Sequence, residues 1–248
     1  MFRQATKFAP RSAAPFQQAQ DAGFESVEFW LGPKLIDQWE DIVELANQYS
    51  LDYALHFPNR AELNTKQLEN VIQLYNALSC SAMVIHQPMF DEYGDALMEI
   101  DSSVRLGIEN HFLDTNSKLR KWAESSKWLT LDIEHVWMYT QPDSSVKQLV
   151  QTVDELFAEY GDKIVHIHLP GYLPGFKEHR PQYCSRGMVM KMFSLLADYE
   201  YDGFVVSETA SRYQNPEELL MDRLLYKRWQ RKRESRQSKE TLETVSTQ

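Results

Sequence analysis

Cysteine is nearly missing from this sequence: 248 residues hold two, Cys80 and Cys184. Two thiols make no disulfide framework, so the expected compartment is a reducing cytoplasm. Long apolar runs are missing too, and none approaches the ~20 residues of a membrane helix, which predicts no membrane partner. The opening residues, MFRQATKFAPRSAAPF, lack the apolar segment of about 7–15 residues that a signal peptide carries. There is no excess of positive charge, since 26 Lys and Arg face 36 Asp and Glu, for a formal net charge of −10. Phosphate-backbone binding rests on basic patches, so nucleic acid is disfavoured as a partner, although a local basic groove is compatible with that total. No glycine-rich turn follows the first strand, which argues against a doubly wound dinucleotide-binding sheet.

What is present is an ordinary globular composition, 43% apolar and 25% charged. The length suits one large α/β domain or two small ones. Apolar strand-like runs are expected at residues 2–8, 24–31, 52–57, 82–86, 105–110, 128–136, 163–169 and 203–208. Between them, helical spacing is expected at 11–22, 34–49, 65–78, 92–100, 116–125, 144–160, 188–199 and 216–231, with a long loop at 170–186. Strands alternating with helices indicate parallel βα units, and eight of them fit a compact (β/α)8 TIM barrel of about 250 residues. The helices in the middle of the chain are short, so the barrel is expected to be reduced there. Residues 1–235 form the single expected domain, and the polar residues 236–248 are expected to be a disordered tail.

The run WLTLDIEHV, residues 128–136, is the most informative stretch. It reads as a buried strand, yet Asp132 appears where apolar residues should continue. A carboxylate inside a strand is costly unless a cation receives it. The same interruption recurs, and seven expected strands end in an ionisable residue: Glu28, His56, His86, Glu109, Asp132, His168 and Glu208. In a parallel barrel these ends share one face, where active sites sit. Carboxylates crowded there repel by about 4 kcal/mol per pair at ~4 Å and an effective dielectric near 20. A divalent cation relieves this, and the expected ligands are Glu109, Asp132, His168 and Glu208. Three oxygens and one nitrogen suit Mn²⁺, Co²⁺ or Mg²⁺, with Zn²⁺ as a further candidate. His56 and His86 equally fit hydrogen-bonded mouth residues, and Glu28 fits an anchor for an arginine. His166 reads as a buried histidine one layer below His168. Trp30, Phe57, Trp137 and Tyr172 fit either a pocket lining or core packing.

In order along the chain, AGFESVEF, LHFP, VIHQP, GIENH, LDIEH, HIHLPGY, EHRP and YDGFVVSE span residues 23–208. Together they resemble the xylose isomerase-like TIM barrels, the sugar phosphate isomerase/epimerase family, which is related to the apurinic-site endonuclease barrels. The resemblance implies a divalent-metal-dependent isomerase or epimerase acting on a sugar or sugar-like hydroxycarbonyl by enediolate proton transfer. It implies Glu109 and Glu208 as the acid/base pair as well as metal ligands. His135 and His179 would hold substrate hydroxyls, Arg186 or Lys177 an anionic group, and Glu28, His56 and His86 would complete the substrate-side wall. In the endonuclease members the positions of His56 and His86 hold an additional zinc, and an Asp-x-His on the long loop completes a third site. Here that loop reads Lys177-Glu178-His179, a departure that counts against a trinuclear cluster. The alternatives are a multinuclear phosphodiester hydrolase of the endonuclease type, a lyase or dehydratase with the same first proton abstraction, a multinuclear iron oxygenase and a non-catalytic binding barrel. The expected partner is a small sugar-like molecule, with homo-oligomerisation left open.

Overall fold

Arg3–Phe8 (β1), Ser26–Trp30 (β2), Asp52–His56 (β3), Met83–His86 (β4), Leu106–Glu109 (β5), Trp128–Asp132 (β6), Ile164–His168 (β7) and Phe204–Val206 (β8) form a ring of parallel strands in chain order. The ring closes where Arg3, Gln4 and Ala5 of β1 lie opposite Phe204, Val205 and Val206 of β8. The helices are Ala13–Ala22 (α1), Pro33–Asp37 (α2), Trp39–Ala46 (α3), Thr65–Ala77 (α4), Gln87–Ile100 (α5), Asn116–Ser125 (α6), Ile133–His135 (α7), Val146–Tyr160 (α8), Arg186–Asp198 (α9) and Pro216–Ser246 (α10). The computed structural model describes residues 1–142, 144–176 and 178–246, with the backbone alone at 237 and 239–246. It is a TIM barrel. No helix among the described residues is long and apolar enough to cross a membrane.

Local chemistry accounts for several element ends. Gly23 stops α1 in a left-handed conformation, φ 87°, and donates its N–H to the α1 carbonyls of Ala19 and Gln20. Capping boxes start α4, at Asn64 and Gln67, and α8, at Ser145 and Gln148. Four elements differ from the expectation. The helix expected at 34–49 is two helices, broken at Gln38. The one expected at 92–100 begins at Gln87, with Pro88 in its first turn, where a missing N–H costs nothing. The strand expected at 128–136 ends at Asp132, because that side chain accepts the His135 N–H at 2.8 Å and turns the chain into α7 and a π-helical turn, Val136–Thr140. The last helix does not stop at residue 231 but continues to Ser246, through a run of Arg, Lys, Glu and Gln without Gly or Pro. Of the expected tail, residues 247–248 lie outside the described residues.

The two sides of each strand meet different surroundings. Phe8 and Phe29 face outward, packing on Phe16 of α1 at ring-centroid distances of 5.0 and 5.3 Å. Side chains alternate along β1, so Ala5 and Lys7 face inward. A small apolar cluster, Ala5, Ala54, Phe204 and Val206, fills part of the ring interior. Above it the interior turns polar, with Glu28, His166 and His168 fully buried. Phe2, Phe193, Tyr226 and Trp229 pack with centroids 5.3–5.6 Å apart and hold α9 and α10 against β1.

Candidate active site at the C-terminal ends of the strands

The expected ligand set comes together. Nδ1 of His168 lies 2.6 Å from Glu208 Oε2, 3.7 Å from Glu109 Oε2 and 3.9 Å from Asp132 Oδ2. Asp132 Oδ2 makes no hydrogen bond, while His168 Nδ1 and Glu208 Oε2 face each other at hydrogen-bonding distance. Donor atoms on a small divalent cation sit roughly 2.0–2.2 Å from it and hence about 3–3.5 Å from one another, close to the spacing here. Glu28 explains why Nδ1 of His168 faces the gap. Its Oε2 accepts the Nε2–H groups of His166 at 2.6 Å and His168 at 2.9 Å, which fixes the ring and leaves Nδ1 as the inward atom. His166 is the deeper, buried histidine that was expected, but only its Nε2 is satisfied, and Nδ1 has no hydrogen-bond partner.

A second group shares Glu109. Oε2 of Glu109 lies 3.2 Å from His86 Nε2 and 3.4 Å from His56 Nε2, while Oε1 lies 3.1 Å from His135 Nδ1. His56 places Nδ1 2.8 Å from the Phe57 carbonyl, and a proton there leaves a lone pair on Nε2 directed at Glu109. Burial and the neighbouring Lys7 push His56 toward its neutral form. A third group joins Asp132, His135 and His179, whose donor atoms lie within 4.8 Å of one another. His179 is set by Glu134, its Nδ1 lying 2.5 Å from the fully buried Glu134 carboxylate.

Burial alone would favour neutral carboxyls throughout, yet the outcome differs by position. Glu109 is held well below the usual carboxylate range by His135, His56, His86 and His168, which outweigh its burial. Glu208 is likewise held low against burial, by His168, Lys7 and His179. Asp132 goes the other way: burial pushes it up to about 6, with His135 and His179 opposing and Glu208 and Glu109 adding to the rise. Against its own burial, His179 is raised to about 10 by Glu208, Glu134 and Asp132. Asp132 is thus the carboxyl whose affinity for a proton is raised, beside two whose affinity is lowered. Glu208 also has a positive φ of 42°, a left-handed conformation that a non-glycine residue holds only where its surroundings impose it.

Glu28 anchors no arginine and lies beneath the mouth rather than on its wall, fully buried, with its oxygens on Lys7, His166 and His168. Arg186 is exposed in the first turn of α9, outside this network. Lys177 lies outside the described residues. Phe57 is core, at 0% exposure, whereas Trp30 is 45% exposed; Trp137 and Tyr172 pack edge-on at 5.0 Å. His111 reaches the mouth, its ring 4.6 Å from His86 and 5.0 Å from His135.

Two residues escaped the sequence reading. Lys7 reaches from near the C-terminal end of β1 to Glu208 and to Glu28, 3.2 Å away at Oε1. A lysine inside a buried strand is the same anomaly as Asp132, so the rule that found one applies to the other. Glu134 follows Asp132 by two positions and is hidden by the turn that ends β6. The loop that carries His179 is closed by paired hydrogen bonds, Gly171 N–H to Arg180 O at 2.7 Å and Arg180 N–H to Gly171 O at 3.0 Å. A Cβ at Gly171 would overlap the Pro181 carbonyl. Gly171→Ala is expected to cost about 1–3 kcal/mol and to spring this pairing. The check is limited proteolysis, with cleavage at residues 170–186 accelerated several-fold; an unchanged cleavage rate counts against the clasp.

The model of the xylose isomerase-like TIM barrel family matches residues 16–232. Among solved structures, a D-tagatose 3-epimerase-like protein superposes with a TM-score of 0.64 at 15% identity, covering 93% of this chain and 97% of that one. Endonuclease IV from Thermus thermophilus gives 0.63 at 16% identity, covering 93% and 99%. An L-ribulose 3-epimerase gives 0.55 at 15% identity, covering 94% and 97%. Among curated proteins none matches the chain's sequence significantly. At such identities the structural likeness establishes shared architecture alone, but the family match spans most of the sequence: the chain belongs to the xylose isomerase-like TIM barrel family.

Proposed function

We propose that this protein is a divalent-metal-dependent isomerase or epimerase of a sugar-like hydroxycarbonyl. The observation that carries the reading is the convergence of Glu109, Asp132 and Glu208 on one nitrogen of His168. Those four residues would hold the ion, which when bound would polarise the substrate carbonyl and its neighbouring hydroxyl. Glu109 and Glu208, both held ionised, are placed to remove and return a carbon-bound proton. His135 and His179 stand beside them as donors to substrate hydroxyls. The D-tagatose 3-epimerase-like protein and the L-ribulose 3-epimerase among the structural neighbours support this substrate class.

A second reading, a multinuclear phosphodiester hydrolase, is favoured by one observation: His56 and His86 both direct Nε2 at Oε2 of Glu109, a ready second ion site. Endonuclease IV among the structural neighbours supports it. Metal content separates the two, with one ion per chain expected for the isomerase and two or three for the hydrolase. The activity screen pairs ketoses, inososes and hydroxypyruvate with bis(p-nitrophenyl) phosphate and an abasic-site oligonucleotide. Glu208→Gln is expected to lower turnover by roughly 10²–10⁴-fold and weaken metal retention while the circular dichroism spectrum persists. Full activity in that variant would refute the assignment.

A further inference from the structure

Lys7 is the one lysine among the described residues that enters the polar interior of the ring. Its neighbours follow from the strand register. Lys7 lies opposite Glu28 on β2, and on the other side β1 pairs with β8, whose chain leads through Ser207 to Glu208. The ammonium therefore bridges Glu28 Oε1, at 3.2 Å, and Glu208 Oε1. The remaining oxygens of both carboxylates turn to His168, Glu28 through Oε2 at 2.9 Å and Glu208 through Oε2 at 2.6 Å. Lysine thus takes one oxygen of each acid and leaves the other for the imidazole that links them.

Two consequences follow from elementary electrostatics. First, the four carboxylates Glu28, Glu109, Asp132 and Glu208 already have a cation of their own among them, which offsets part of their mutual repulsion before any metal ion binds. Second, that cation repels any divalent ion bound nearby and denies it Oε1 of Glu208, so the acid can offer a single oxygen rather than chelate. We propose that Lys7 is a positioning residue with opposite effects on fold and metal: it pre-sets Glu208 and His168 before an ion arrives, and it weakens the grip on the ion once bound. The proposal rests on the metal-dependent reading above. It predicts a site that is formed without metal and exchanges its metal readily.

The test is Lys7→Met, which keeps the apolar stem and removes the charge. The metal-stripped variant is expected to melt roughly 10 °C or more below the stripped wild type, because two buried carboxylates lose their partner. Titrated calorimetrically with Mn²⁺ alone, the same variant is expected to bind at least about tenfold more tightly than the wild type. Lys7→Gln, which retains a hydrogen-bond donor, is expected to shift both readings in the same directions, and it serves if the methionine variant fails to fold without metal. A lysine that is merely structural would lower stability and metal affinity together. Equal or weaker Mn²⁺ binding by both variants overturns the proposal and leaves the metal-dependent reading standing. A wild type that binds no divalent ion overturns both.

Discussion

Glu109→Gln is expected to release divalent metal from the whole site and to reduce turnover by roughly 10³-fold or more. With His168, Glu109 is one of the two residues on which the mouth converges. Oε2 lies within 3.7 Å of His56, His86 and His168, and Oε1 lies 3.1 Å from His135. An amide in this place keeps the shape but loses the charge that draws the imidazoles together. It also turns an N–H₂ group toward ring nitrogens that must present lone pairs. Because Glu109 belongs to both ligand groups, its loss should cost the ion held with His168, whereas His86→Ala should leave that ion in place. Metal analysis of the two variants beside the wild type reads this directly. Retention of the full complement by Glu109→Gln would show that the shared carboxylate is not a ligand. The fold should survive, since glutamine keeps the shape of the side chain and leaves the apolar core between strands and helices untouched.

The acidic strand ends were legible because an ionisable side chain in an apolar run is costly unless it is received. Glu109, Asp132, His168 and Glu208 each break such a run, and a barrel delivers them to one face whatever the intervening helices do. Other features obeyed interactions that a linear pattern hides. Ile133 and Val136 continue the apolar character of β6, so nothing in their type signals that the strand is over. The Asp132 side chain decides it by accepting the His135 N–H. Glu134 then changes sides, from an alternating strand position to a turn that aims it at His179. Lys7 lies in RQATKF, whose weak apolar pattern conceals that β1 is central to the ring; its partners lie 21 and 201 positions away in sequence. The helical continuation beyond residue 231 reflects propensity unopposed by any breaker.

Asp222→Asn is expected to stabilise the protein, increasingly so as pH rises. Asp222 lies on α10 at 1% exposure, outside the carboxylate–imidazole network of the mouth, and no lysine or arginine among the described residues pairs with it. Its Oδ1 accepts the Tyr183 N–H at 3.2 Å. Burial pushes its carboxyl up from 3.8 to about 7; the amides of Gln182 and Tyr183 oppose the rise, and Glu218 adds to it. The unfolded chain releases this proton near the lower value, and the folded chain keeps it until the higher one. Between the two the unfolded state binds fewer protons, so stability falls as pH rises, and the whole penalty is present above pH 7. Asparagine retains the acceptor for Tyr183 and removes the ionisation. Urea unfolding of wild type and variant at pH 5 and pH 8 should therefore diverge by about 2–3 kcal/mol, with the variant the more stable at the higher pH. Parallel pH dependence in the two proteins would mean that Asp222 titrates alike in the folded and unfolded chains. That result would require water or a cation to reach the carboxylate between β1, the Gln182–Ser185 turn and α10.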